Sequence, residues 1–369
     1  MIHRLLDVVA TKARISPKDV GKAYQLLFSR EPENASVAKV HADGHPDIWS
    51  LLGSLMESRE FKDRMGQNHN PRTTLDWYSL LERFQQTDLT YRRGYITNYL
   101  GVPTNVSYLG HLRGSPGFVE GIPISGDFHS SVSEWIAGLR GVELSGDDFV
   151  VVELGAGWGP WMVNLCRAAQ IKGAKRTFAI GCEADELHCK FIFEHFLDNG
   201  FTDREYKVYQ GAIGPEKGVA LFPVSEDSAN DWGMRPIFCA TEEEAKAITS
   251  NPQVHADYRG HRFQRFHRVP CYALPDVVSG VEHVDVLHID IQGGEYELLR
   301  HNLDLVTRMV GYLVIGTHSR PIEGELMVLL ANAGWKLEVE EPCAFDIHDP
   351  NFSPQIDGTQ GWRNLHIHP

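Results

Sequence analysis

The sequence predicts an α/β fold: a mostly parallel sheet with a C-terminal antiparallel strand pair, preceded by a small all-α module. Three observations predict it. From about residue 126 onward, short β runs alternate with helical stretches, the signature of a parallel sheet with crossover helices. One of those runs, VVVELGAGWGPW, leaves a buried strand through a glycine-rich loop that a proline opens into a helix. The first ~65 residues carry a helical period instead. At roughly 100–200 residues per domain, 369 residues make two or three domains.

The elements follow in order. Residues 1–65 are expected to form the helical module. Ser16-Pro17-Lys18-Asp19 offers a cap, a first-turn proline and a first-turn acid. Val20, Ala23, Tyr24, Leu27 and Phe28 then share one face. A second helix should carry Ile48, Trp49, Leu52, Leu55 and Met56. Residues 66–125, with turn signals at Asn70-Pro71, Pro103-Thr104 and Ser115-Pro116-Gly117, read as a connecting segment packed on the next domain. Residues 126–369 hold the sheet, with strands at 149–154, 177–184, 206–213, 284–291 and 311–318. Helices are expected from Pro160 to about Ala169, from Glu186 to Asp198 with Asn199-Gly200 as its stop, and from about Glu323 to Ala333. WKLEVEEP and WRNLHIHP suit the terminal antiparallel pair.

Composition excludes several classes. The chain is 42% hydrophobic and 23% charged, near the globular average, so it is no disordered tail, collagen or coiled coil. Its net charge of −14 repels phosphate backbones, and no nucleic-acid partner is expected. No stretch approaches the ~20 apolar residues of a membrane span. MIHRLLDVVATKAR lacks the apolar run of a signal peptide. The six cysteines show no metal-binding spacing, so reduced thiols and a cytoplasmic location are expected.

The chemistry begins at the glycine loop. Gly155, Gly157 and Gly159, with Ala156 and Trp158 between them, let a ligand approach the backbone, and the helix behind them offers free N–H groups. A nicotinamide fingerprint would need a glycine where Pro160 stands. Glu153, two residues before the first glycine, matches instead the ExGxGxG form of class I methyltransferases; a purely structural turn is the plain alternative. Glu183 ends the next strand, where a carboxylate can accept both hydroxyls of a ribose.

Further residues make the likeness specific. From about residue 126 the chain resembles the FkbM family of S-adenosylmethionine-dependent O-methyltransferases. The resemblance rests on the glycine motif, the acid ending strand two, GAIGPEKG at 211–218, HIDIQGGEYELL at 288–299 and GTH at 316–318. It departs at Gly316 and Gln292, where the family has glutamates. The N-terminal stretch, with AYQLLFSREPE and SLMESREF, resembles a small helical module appended to bacterial glycosyltransferases and methyltransferases. The resemblance implies a Rossmann-like class I methyltransferase domain using S-adenosyl-L-methionine. Glu153, Gly155, Ala156, Gly157, Trp158, Gly159, Glu183, Ala184, Gly211, Ala212 and Asp290 would line the cofactor.

Two residues on the carboxyl edge of the sheet are candidates for catalysis. Asp290 ends strand four beside the expected methyl position, unless it only caps the next helix. His318 ends strand five, and an imidazole near its ordinary pKa of ~6.5 suits a general base. Asp290 would then orient the acceptor hydroxyl. Arg320, His129 and Trp232 are candidate substrate contacts; Trp232 lies in a long polar insert, about 221–262, that reads as a lid or binding loop. With Gln292 and Gly316 neutral, Asp290 is the one carboxylate foreseen there, and no metal is expected. The expected reaction is O-methylation of a saccharide or glycosylated small molecule. The alternatives are N- or carboxyl-methylation of a small metabolite, or a non-catalytic module that recruits partners. The acceptor and any oligomer are not legible.

Overall fold

The computed structural model describes residues 15–28, 32, 34–56, 58, 71–124, 126–251, 253–254, 256–258, 261–345 and 354–369. The chain forms two compact units, Met1–Asn70 and Pro71–Pro369.

In the first unit, α1 (Pro17–Phe28) starts where Ser16 donates its backbone N–H and its hydroxyl to the Asp19 carboxylate. Helices α2 (Ala35–Gly44) and α3 (Ile48–Met56) follow. Helix α2 was not singled out by the apolar spacing; Asn34 caps it by accepting from the N–H groups of Ser36 and Val37. Val20, Ala23, Tyr24, Ala38, Leu51 and Leu55 form the core of this unit. The side chains of Leu27, Phe28, Trp49 and Met56, the opening MIHRLLDVVATKAR and parts of the SREPE and ESREF runs lie outside the described residues.

The second unit is built on one sheet. Its strands are β1 (Asp148–Leu154), β2 (Arg176–Glu183), β3 (Tyr206–Gln210), β4 (Val284–Ile289), β5 (Val310–Thr317), β6 (Trp335–Glu341) and β7 (Gly358–Asn364). They lie in the order β3-β2-β1-β4-β5-β7-β6, with the two-residue strand Arg72–Thr73 on the far edge. β1 to β5 are parallel, and β7 runs antiparallel between β5 and β6. This is the class I methyltransferase sheet. The central strands are buried along nearly their whole length, as a sheet covered on both faces requires. Helix α4 (Val132–Leu144) packs on one face with α5 (Pro160–Lys172), and α6 (Glu186–Asp198) follows β2. Helices α7 (Glu295–Met309) and α8 (Arg320–Asn332) contribute to a second apolar cluster with β4 and β5. Chain order reverses between β1 and β4, and the crevice at such a point receives ligands in open α/β folds.

The structure departs from the sequence reading in four places. The run 206–213 is two strands, because the chain turns out of the sheet at Gly211 and Ala212–Gly214 joins a separate four-stranded sheet. A Cβ on Gly211 would meet the Pro270 carbonyl oxygen and the Tyr272 ring. The insert read as a loop contains strand Ile237–Cys239 and helix Glu242–Thr249, at whose start the Thr241 hydroxyl accepts from Glu244 N–H and the Glu244 carboxylate accepts from Ala240 N–H. Helix α8 begins at Arg320, earlier than expected, with Ser319 as its cap. The last strand stops at Asn364, so His366 and His368 lie beyond it. The six cysteines are buried and free. Among the described residues no helix is long and apolar enough to cross a membrane.

Beneath the glycine loop, His195 of α6 is fully buried, with its Nε2 3.3 Å from the Thr104 hydroxyl and its ring 5.0 Å from that of Trp158. Burial first, and the neighbouring His129 second, push it down to about 3. The unfolded chain protonates this histidine near ~6.5, so its contribution to stability is complete above that pH and falls as pH drops toward 3. Between pH 7 and pH 5 the wild type should lose about 2 kcal/mol more than His195→Leu, read from urea midpoints. Equal losses would show that His195 is not held neutral.

Candidate active site

At the carboxyl end of β1 the chain turns through Gly155, at φ 74°. A Cβ there would overlap the Asp290 carbonyl oxygen, and the Asp290 N–H donates to the Leu154 carbonyl at 2.9 Å. The glycine loop and the end of β4 therefore touch backbone to backbone. Gly155 and Ala156 both donate to the Cys182 carbonyl, which ties the loop to β2 as well. Glu153 faces the helix behind the loop: its carboxylate accepts from Met162 N–H at 2.8 Å and Trp161 N–H at 3.4 Å. Burial pushes its carboxyl up to about 8. Its oxygens serve the N-terminus of α5, which makes Glu153 a positioning residue of the loop.

Glu183 stands at the end of β2 with both oxygens at the loop. Oε2 accepts from Gly157 N–H and Oε1 from Asp185 N–H, each at 2.7 Å, and His188 Nδ1 lies 3.6 Å from Oε1. Gly211 donates its N–H to the Glu183 carbonyl; Ala212 and Ala184 pack in the core of the small sheet beside it. Trp232 stacks on His188 with rings 4.0 Å apart and 7° from parallel, and a Cβ on Gly157 would lie 3.2 Å from it. The sequence reading offered Trp232 as a candidate substrate contact; in the structure it stands over the glycine loop, with its indole N–H donated to the Ala229 carbonyl. Trp158 is buried beside Tyr108, Phe128, His129 and His195. A strand-end carboxylate beside a loop at Gly157 that is close-packed under Trp232 and holds a positive φ fits the ribose portion of S-adenosyl-L-methionine.

The second cluster sits at the ends of β4 and β5. His318, 4% exposed, has Nδ1 3.0 Å from Glu295 Oε1 and Nε2 3.2 Å from Asp290 Oδ1. Glu295 is fully buried, and the same oxygen accepts from the N–H groups of Ile291 and Gly293. Asp290 also receives the Gln292 amide at 2.9 Å, and its side chain is 39% exposed. Gln292 holds φ at 59°, a strained conformation for a residue with a side chain. Burial alone would lower the His318 pKa, but the hydrogen bonds and charges of Asp290 and Glu295 outweigh it and push it up to about 10. Burial likewise opposes ionisation of Asp290, and the His318 contact overrides it, holding the carboxyl below its ordinary range. The value near ~6.5 expected for His318 therefore does not apply, since carboxylates face both ring nitrogens and the ring is an imidazolium at neutral pH.

The remaining candidates lie apart from this pair. His129 is packed against the Trp135, Trp158 and Trp161 rings, with Nδ1 2.9 Å from Asp127. Arg320 pairs with Glu323 and, together with Tyr296, Leu303 and Val328, lines a groove by α7 and α8. Sequence reasoning missed Glu295, Asp357 and a part-buried Glu134–His288 pair, in which Glu134 Oε1 also receives the Trp161 indole N–H. The reading of metal ligands counted Asp290 alone. Ligand atoms of Asp290, Glu295 and His318 in fact lie within 4.8 Å of one another. The glutamate comes from the first turn of α7, and its signal was the acid directly after Gly293-Gly294.

No family model matches the chain. Over 270 residues the chain is 33% identical to a protein of Jannaschia sp. (strain CCS1) that bears the name "Putative methyltransferase", with 71% of this chain and 90% of that one covered. Among solved structures, precorrin-6y C5,15-methyltransferase from Geobacter metallireducens GS-15 is similar at 11% identity and a TM-score of 0.36, covering 64% of this chain and 89% of that one. Ribosomal protein L11 methylase from Lactobacillus delbrueckii subsp. bulgaricus is similar at 10% identity and a TM-score of 0.33, covering 63% and 80%. Likenesses of that size carry no conclusion about the reaction.

Glu183→Ala should weaken S-adenosylhomocysteine binding by about 1.5 kcal/mol or more, roughly tenfold, in calorimetry on a folded variant. Unchanged affinity would remove Glu183 from the cofactor site.

Proposed function

The chain belongs to the methyltransferase family of its Jannaschia relative, and we propose that it moves a methyl group from S-adenosyl-L-methionine to a hydroxyl of a small-molecule acceptor, with saccharides the first class to test. The observation that carries the reaction type is the Glu295–His318–Asp290 array, which ends in a partly exposed carboxylate beside the glycine loop. The saccharide rests on the N-terminal resemblance to a module of glycan enzymes, and the FkbM-like motifs support a hydroxyl acceptor.

S-adenosyl-L-methionine, when bound, supplies an activated methyl on a sulfonium. The residues of the chain then have two tasks, alignment and a place for the hydroxyl proton. Glu153 and Gly155 set the loop, and Glu183 holds the ribose. Asp290 presents its outward oxygen to the acceptor hydroxyl and accepts its hydrogen bond. His318 holds the other oxygen, and Glu295 fixes the imidazole from behind. A protonated His318 takes no proton, so the accessible base is Asp290 and His318 is its positioning residue. This exchanges the roles that the sequence suggested for the two side chains.

The test is incubation of the protein with S-adenosyl-L-methionine and a panel of saccharides and other hydroxylated or amino metabolites, with methylated product read by mass spectrometry. Transfer to amines or carboxylates alone would overturn the hydroxyl reading. On an active acceptor, Asp290→Asn should lower the rate by about 10²–10⁴-fold, and His318→Ala by a smaller factor of about 10–10². Both should keep S-adenosylhomocysteine affinity within a few-fold. A histidine variant more severe than the aspartate variant would return the base to the imidazole.

A further inference from the structure

Glu183 is the carboxylate assigned above to the ribose, yet its side chain is 8% exposed. An aromatic pair lies against it. His188 Nδ1 is 3.6 Å from Glu183 Oε1, and the Trp232 ring lies on the His188 ring at 4.0 Å and 7° from parallel. The same tryptophan stands over Gly157, whose N–H donates to Glu183 Oε2. Trp232 is carried by a turn, Asp227–Trp232, within which Ala229 accepts the indole N–H at 2.8 Å. Ring and turn are therefore one unit. Among the described residues, polar contacts tie that unit down at three points. Asp227 pairs with Arg113 at 2.7 Å, the Ser228 hydroxyl donates to Asp185 at 3.0 Å, and the Ser228 carbonyl lies 2.9 Å from His188 Nε2. Asn230 fills the space that a side chain at Gly110 would need. Beyond the turn, Met234 is buried with Ala212 and Phe222 in the core of the small sheet, which anchors the chain there.

We propose that Asp227–Trp232 is a strap in its closed position: Trp232 and His188 stand between the crevice and Glu183, and the cofactor enters only when Trp232 lifts off Gly157. This rests on the assignment of Glu183 to the ribose, because a diol that hydrogen-bonds both oxygens of a carboxylate needs that carboxylate uncovered. The ties suit a movable part. Arg113 and Asp227 are 52% and 45% exposed, and ion pairs so open to water hold little. Met234 supplies the fixed end about which the turn can swing. The protein then divides between closed and open strap, and only the open fraction takes the cofactor. Apparent affinity is the intrinsic affinity scaled by that fraction. A change that weakens the closed position should therefore tighten binding, the opposite of what losing a ligand contact does.

The experiment titrates S-adenosylhomocysteine into the full chain by calorimetry and follows binding by stopped flow. Wild type, Arg113→Ala, Trp232→Ala and Glu183→Ala are compared. Arg113→Ala should bind about threefold more tightly, and Trp232→Ala about tenfold or more. Both gains should appear in the association rate constant, since the open fraction is what rises. Weaker or unchanged binding by Trp232→Ala overturns the strap, and so does an association rate that Arg113→Ala leaves unchanged or lowers. Glu183→Ala separates this result from the assignment beneath it. Binding that Glu183→Ala weakens and Trp232→Ala does not tighten leaves the ribose assignment standing and removes the strap. Binding that Trp232→Ala tightens and Glu183→Ala leaves unchanged removes the ribose assignment alone.

Discussion

The constraint on which the rest of this molecule depends is the backbone contact between Gly155 and Asp290. No side chain fits at 155, so the glycine loop and the end of β4 lie against each other without an intervening layer. In the proposed reaction, partners held at these adjoining backbone positions would need little further adjustment to meet. The contact also explains the supporting cast. Glu153 fixes the helix that follows the loop, the Cys182 carbonyl ties the loop to β2, and Glu295 ties Ile291 and Gly293 to His318 on the other side.

Buried charge at both ends of the crevice is met by backbone N–H groups and histidines together. Glu183 accepts from Gly157 N–H and Asp185 N–H and faces His188. Glu295 accepts from Ile291 N–H and Gly293 N–H and faces His318, which also faces Asp290, and His288 faces Glu134. Removing one partner of such a pair strands the other in a poor dielectric. Gln292 adds to this, because a strained backbone conformation persists only where its surroundings over-determine it.

What the sequence disclosed was local. The strand before Gly155, the acid at 183, the helix from Glu186 to Asp198 and the order of alternating elements all show as neighbours in the chain, where spacing and caps carry the signal. The acceptor side was legible only in part. Asp290 and His318 announced themselves as strand ends, but the protonation of each depends on the other, and that of His318 also on Glu295, a pairing of β4 and β5 ends that spacing along the chain does not show. Trp232 shows the same limit: a tryptophan in a polar run declares that it is covered, and not that His188 covers it. Gly211 shows the converse. A β-like run on both sides gives no sign that the chain changes sheets, because the cause is the Pro270 carbonyl arriving from 59 residues later.

Strand β7 lies between β5 and β6, yet it is synthesised after both. The ribosome therefore delivers two strands that must wait, their facing edges open, for a third to enter between them. Contacts of such long sequence separation form slowly. The order of maturation follows: β1, the glycine loop and β2 come from one continuous stretch, whereas Asp357 reaches His318 only when β7 is seated. The carboxyl edge around His318 is thus a late product of folding. A chain caught before that step presents two unpaired strand edges to its chaperones, and with them a template for pairing with its neighbours.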